Sequence, residues 1–144
     1  MNHFMPRIVL DTNSLLQILG ARSQYHFLFG EFLKGHYVLC VSTEILFEYE
    51  EILREKASPT AADLFLKVIS RSRNVERKDP YFRLGIVKQD DDDNKFVDCA
   101  FVNHADFIVT DDKHFDDAAQ SAFPQFRIVG LDAFADMMRK KYHC

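Results

Sequence analysis

Four apolar runs constrain this chain more than any other feature. They are "RIVL" (7–10), "YVLCVS" (37–42), "DFIVT" (106–110) and "FRIVG" (126–130), and none alternates apolar with polar residues. A strand with one wet face would alternate. A run that stays apolar predicts a strand covered on both faces, as in a parallel sheet. Helical patterns fill the spaces between the runs. Asn13 to Leu19 reads as a short helix, and "YHFLFGEFLKG" (25–35) as another that stops near Gly35. Ser42 is placed to cap "TEILFEYEEILREK" (43–56), whose Ile45, Leu46, Tyr49, Ile52 and Leu53 form one stripe. "SPTAADLFLKVISRS" (58–72) has Ser58 as a cap and Pro59 at its first helical position, with Leu64, Phe65 and Val68 expected to face inward. "KFVDCAFVNHA" (95–105) and "LDAFADMMRKK" (131–141) complete the set.

Residues 73–92 fit no single period. They hold strand-like fragments around Val75 and Ile86, broken by Pro80 and Gly85. The rest alternates strand with helix from end to end. That pattern predicts one domain over 1–144, a three-layer α/β/α fold on a central parallel sheet of four or five strands.

Composition narrows the class. Hydrophobic residues make up 47% of the 144, too many for a disordered tail. A net charge of -4 argues against a generic basic nucleic-acid binder, unless acids converge on bound metal. Cys40, Cys99 and Cys144 are odd in number and far apart, which fits neither a disulfide framework nor a zinc site. "MNHFMPRIVL" lacks the core of a signal peptide, and no apolar stretch is long enough to span a membrane. The expectation is a cytoplasmic protein with reduced thiols.

The acids point to chemistry. Asp11 ends the first strand where a helix begins, and Asp111 and Asp112 end the "FIVT" strand. In parallel sheets, ligands sit beyond the carboxyl ends of the strands, so two strands deliver acids to the functional edge. Asp93, in "DDDDNKF", opens the helix leading into "DFIVT". Glu48 lies beside the apolar stripe of its helix, unlike Glu50, Glu51 and Glu55. Asp11 alone reads equally as a helix cap or a metal ligand. Several carboxylates at one edge would repel one another without a cation. Oxygen donors with no Cys or His cluster favour Mg²⁺ or Mn²⁺, and one or two such ions can drive phosphodiester hydrolysis. Asn13 and Thr110 are uncharged groups placed to orient these acids.

Three stretches together, "VLDTNSLL", "VSTEILFEYEEIL" and "DDDDNKFVDCAFVNHADFIVTDDKHF", resemble PIN-domain ribonucleases, in particular the VapC-like toxins of bacterial toxin–antitoxin pairs. The resemblance runs from Arg7 to about Leu131. It implies that Asp11, Glu48, Asp93 and Asp112 are the catalytic and metal-holding acids, with Asp92 and Asp111 as alternatives in their runs. It also implies RNA as substrate, an antitoxin partner and commonly a homodimer. Asp98 departs from the pattern, as either a fifth site acid or a surface group. A catalytically idle PIN-like module that binds RNA or protein is the rival reading. An aspartyl phosphotransferase is a weaker one, since Thr12 and Asn13 follow Asp11 where a second Asp is expected.

Arg71, Arg73, Arg77, Lys78, Arg83 and Lys88 surround Tyr81 and Phe82. They form either an RNA path, with phosphate contacts and base stacking, or a solvated charged surface. Among the histidines, His114 is notable for its closeness to Asp112 in sequence.

Overall fold

A computed structural model describes residues 5–87, 91–120 and 127–143. Lys88 and Cys144 lie outside the described residues, as do residues 89, 90 and 121–126. Five strands form one sheet in the order β3-β2-β1-β4-β5, every neighbouring pair parallel. They are β1 (Arg7–Leu10), β2 (Val38–Val41), β3 (Val75–Arg77), β4 (Phe107–Val109) and β5 (Ile128–Val129). The fragment around Val75 thus becomes the edge strand β3. The one around Ile86 does not become a strand.

Helices α1 (Thr12–Leu19) and α2 (Phe27–Leu33) connect β1 to β2. The pair α3 (Thr43–Lys56) and α4 (Pro59–Arg71) leads to β3. Helix α5 (Asn94–Val102) returns the chain to β4, short α6 (Asp116–Ala119) precedes β5, and α7 (Leu131–Tyr142) closes the fold. The order of strands reverses its direction between β1 and β4. With right-handed crossovers, that reversal puts helices on both faces, giving the three-layer α/β/α arrangement.

The caps follow their local chemistry. The Ser42 hydroxyl accepts the Ile45 N–H at 3.2 Å, and the Ser58 hydroxyl accepts that of Ala61 at 3.0 Å. In α3 the inner stripe is Ile45, Tyr49 and Leu53. In α4 it is Ala62, Phe65 and Ile69, and the expected inward Leu64 instead stands 57% exposed. One helical face holds 62, 65 and 69, and position 64 lies well round the cylinder from it. The core runs through the sheet, where Ile8, Val9, Cys40, Val41, Ile108 and Val109 are fully buried. Cys40 and Cys99 are buried free thiols. No helix among the described residues is long and apolar enough to cross a membrane.

Candidate active site

The reversal between β1 and β4 opens a crevice at the carboxyl edge of the sheet, where ligands of such folds bind. Asp11 is the first residue past β1. Its N–H bonds the Val109 carbonyl at 3.2 Å, and it caps α1 by accepting the Ser14 N–H at 2.7 Å. Its other carboxylate oxygen accepts the Thr110 hydroxyl. Thr110 in turn accepts the Asp112 N–H at 3.0 Å, so one buried hydroxyl ties the acids of two strands together. Burial pushes the Asp11 carboxyl up. Thr110 and Ser14 work against that rise, and the charge of Asp112 adds to it.

The two aspartates after β4 diverge. Asp111 turns toward β5 and accepts the Leu131 N–H at 3.1 Å, capping α7. A Cβ at Gly130 would come within 2.9 Å of the Asp111 carboxylate, so a larger residue there would push that side chain out of its present position. Asp112 turns the other way and accepts the His114 N–H at 2.9 Å. The His114 imidazole Nδ1 lies 3.4 Å from Asp112 and 3.4 Å from Asp93. Ligand atoms of Asp93, Asp112 and His114 fall within 4.8 Å of one another.

Glu48 reaches the same edge by another route. The Tyr49 hydroxyl donates to the Leu10 carbonyl at 2.5 Å, fixing α3 against the end of β1. Thr12, one residue past Asp11, donates its hydroxyl to Glu48. The Lys95 ammonium pairs with the other Glu48 oxygen at 2.6 Å. Asp11 and Glu48 therefore border the tight trio without joining it. A cleft of about 470 Å³ beside the trio is lined by Asp11, Asn13, Ser14, Gln17, Asp111 and Asp112.

Asp98 is buried in α5, where it accepts the Leu84 N–H at 3.1 Å. Asp92 is exposed and lines a second cleft of about 400 Å³ with Arg83, Lys95, Phe47 and Phe82. The expected RNA-contacting cations divide by position. Arg71 and Arg73 precede β3, at the edge of the sheet opposite the acids. Arg77 and Lys78 end β3 on the acidic side, and Arg83 lies nearby in the second cleft. Sequence reasoning missed Lys95. Its signal was a lysine two residues past a predicted acid, on the turn that faces α3.

The family model for the PIN domain matches residues 7–114, three quarters of the chain. The chain belongs to the PIN-domain family. Among solved structures, the VapBC2 complex of Rickettsia felis, bound to a DNA fragment from its promoter, superposes with a TM-score of 0.59. It is 14% identical and covers 86% of this chain and 98% of its own. Mycobacterium tuberculosis VapC20, a toxin that cleaves the sarcin–ricin loop, superposes with a TM-score of 0.51 at 15% identity, covering 70% of this chain and 86% of its own. At such identities the likeness is one of fold. No curated protein matches the chain by sequence. In this PIN domain, the acids at the switch point form an oxygen-rich donor set with one imidazole. That set fits a hard divalent cation, which would also relieve the charge pressing on buried Asp11.

Proposed function

We propose that this PIN domain is a divalent-metal-dependent ribonuclease and the toxin of a toxin–antitoxin pair. The observation that carries the reading is the convergence of Asp93, Asp112 and His114 at the point where the sheet reverses, beside buried Asp11. Asp93 and Asp112 would hold Mg²⁺ or Mn²⁺, with Asp11 and Glu48 completing the acidic edge. Once bound, such an ion supplies activation of water and neutralises charge that develops on the phosphodiester.

The chain's own residues set the geometry. Thr110 fixes Asp11 against Asp112. His114 lies between Asp93 and Asp112, its Nδ1 3.4 Å from each carboxylate. Asn13 faces the cleft beside them. Arg77, Lys78 and Arg83 would give the incoming RNA phosphates positive partners near the acidic edge of a chain whose net charge is -4. Tyr81 and Phe82, both exposed, would stack on unpaired bases.

A protein partner is part of the proposal. An apolar groove of about 650 Å³ runs between α1 and α4, lined by Leu16, Leu19, Phe29, Leu53, Leu64 and Val68. Contiguous apolar surface of this kind supports an antitoxin that covers it. A homodimer and a cytoplasmic setting belong to the same reading.

The test is cleavage of end-labelled single-stranded RNA by the full chain. Cleavage should require Mg²⁺ or Mn²⁺, stop on chelation, and fall at least ~100-fold in Asp112→Asn. Bound metal without cleavage over a broad RNA panel would favour an idle binding module.

A further inference from the structure

Lys95 is the least expected residue at the acidic edge. Its side chain is only 9% exposed, and its ammonium lies 2.6 Å from Glu48. A lysine is rarely so buried without a partner, and here the partner is one of the proposed site acids. Glu48 has no idle oxygen: Lys95 takes one and the Thr12 hydroxyl takes the other. The start of α5 thus delivers an acid, Asp93, to the trio and a cation, Lys95, to the fourth acid. A divalent ion on Glu48 would have to displace the ammonium group, or displace the Thr12 hydroxyl and share the carboxylate with a cation already in contact. Like charges at that spacing exclude one another, so the ion and Lys95 compete for Glu48.

We infer that Lys95 is a resident second cation of the centre: it occupies Glu48, and the protein consequently loads a single divalent ion, at Asp93 and Asp112. This rests on the metal-dependent reading above and deepens it. Lys95 is a positioning residue. It holds Glu48 in place without a second ion and sets the metal stoichiometry.

The experiment counts Mn²⁺ per chain on the full-length protein, by calorimetric titration and by loss of the free-ion paramagnetic resonance signal. Lys95→Met keeps the aliphatic stem that packs against the fold, and Lys95→Arg keeps the charge. Far-UV circular dichroism and thermal melting confirm that each variant folds. Wild type should bind one ion. Lys95→Met should gain a second, at least about tenfold weaker ion, because Glu48 is released. Lys95→Arg should return to one, and so should Lys95→Met combined with Glu48→Gln. A lysine that merely packs would leave the count unchanged.

Two ions in wild type would overturn the inference and leave the metal-dependent reading standing. One ion in both wild type and Lys95→Met would overturn it as well. No bound ion in wild type would overturn both.

Discussion

Asp111 and Asp112 are neighbours in sequence with opposite tasks. Asp111 caps α7, and Asp112 faces Asp93 and His114. Asp111→Ala should therefore lower stability by about 0.5–2 kcal/mol, the usual range for a lost cap, while metal-dependent RNA cleavage stays within a few-fold. Asp112→Asn should do the reverse, keeping the melting temperature and losing cleavage. Denaturant unfolding and the RNA assay, run side by side, check the pair. The sequence made both residues candidates, because composition and position are the same for each. What separates them is the direction of each side chain, which Gly130 and the Leu131 N–H decide from twenty residues away. Asp11 shows the opposite situation. Its cap and its place in the site were alternatives on paper, and the structure gives it the cap while leaving it beside the trio.

At the scale of elements, α5 does more than carry Asp93. Its buried Asn94 accepts the Val87 N–H at 2.8 Å and donates to the Val87 carbonyl at 2.9 Å, and buried Asp98 accepts the Leu84 N–H. These side chains hold the irregular segment 80–87 next to the second cleft. Asn94→Ala should raise amide exchange across 80–87 by about tenfold or more, as buried Val87 loses two hydrogen bonds worth roughly 1 kcal/mol each. Unchanged exchange there would mean the segment is held otherwise. The sequence could not reveal this order, because the segment has no period of its own and borrows its structure from another element. Helices with strong caps and stripes, such as α3 and α4, were legible almost to the residue. Leu64 was misplaced because an apolar residue in an amphipathic pattern reads as core even when the helix turns it outward.

For the whole molecule, the parallel sheet was legible because strands buried on both faces leave unbroken apolar runs. Their spatial order was not, because β3 is short and only partly buried. Stability also draws on a buried acid that is not among the site acids. Glu31 in α2 is 2% exposed and pairs with Lys34 at 3.3 Å and with His36, whose ring stacks on Tyr142 of α7 at 3.7 Å. Burial alone would raise the Glu31 carboxyl, but hydrogen bonds from His36 and Lys34 outweigh it and hold the group below the usual range. A depressed carboxylate stabilises the fold above its unfolded pKa, and that share is lost as pH falls through the folded value. Glu31→Gln should cost about 1–3 kcal/mol at pH 7. The gap from wild type should close as pH drops below about 4, which thermal melts over a pH series will read. A gap that does not narrow at all as the pH falls below about 4 would mean the loss is one of packing.

The central claim is that acids from two strands and α5 hold a hard cation at the reversal of the sheet. Anomalous diffraction from a Mn²⁺-soaked crystal tests it most directly. The account predicts a peak about 2.0–2.3 Å from carboxylate oxygens of both Asp93 and Asp112. A well-diffracting soaked crystal with no peak there, or with Mn²⁺ only at unrelated surface acids, would contradict it.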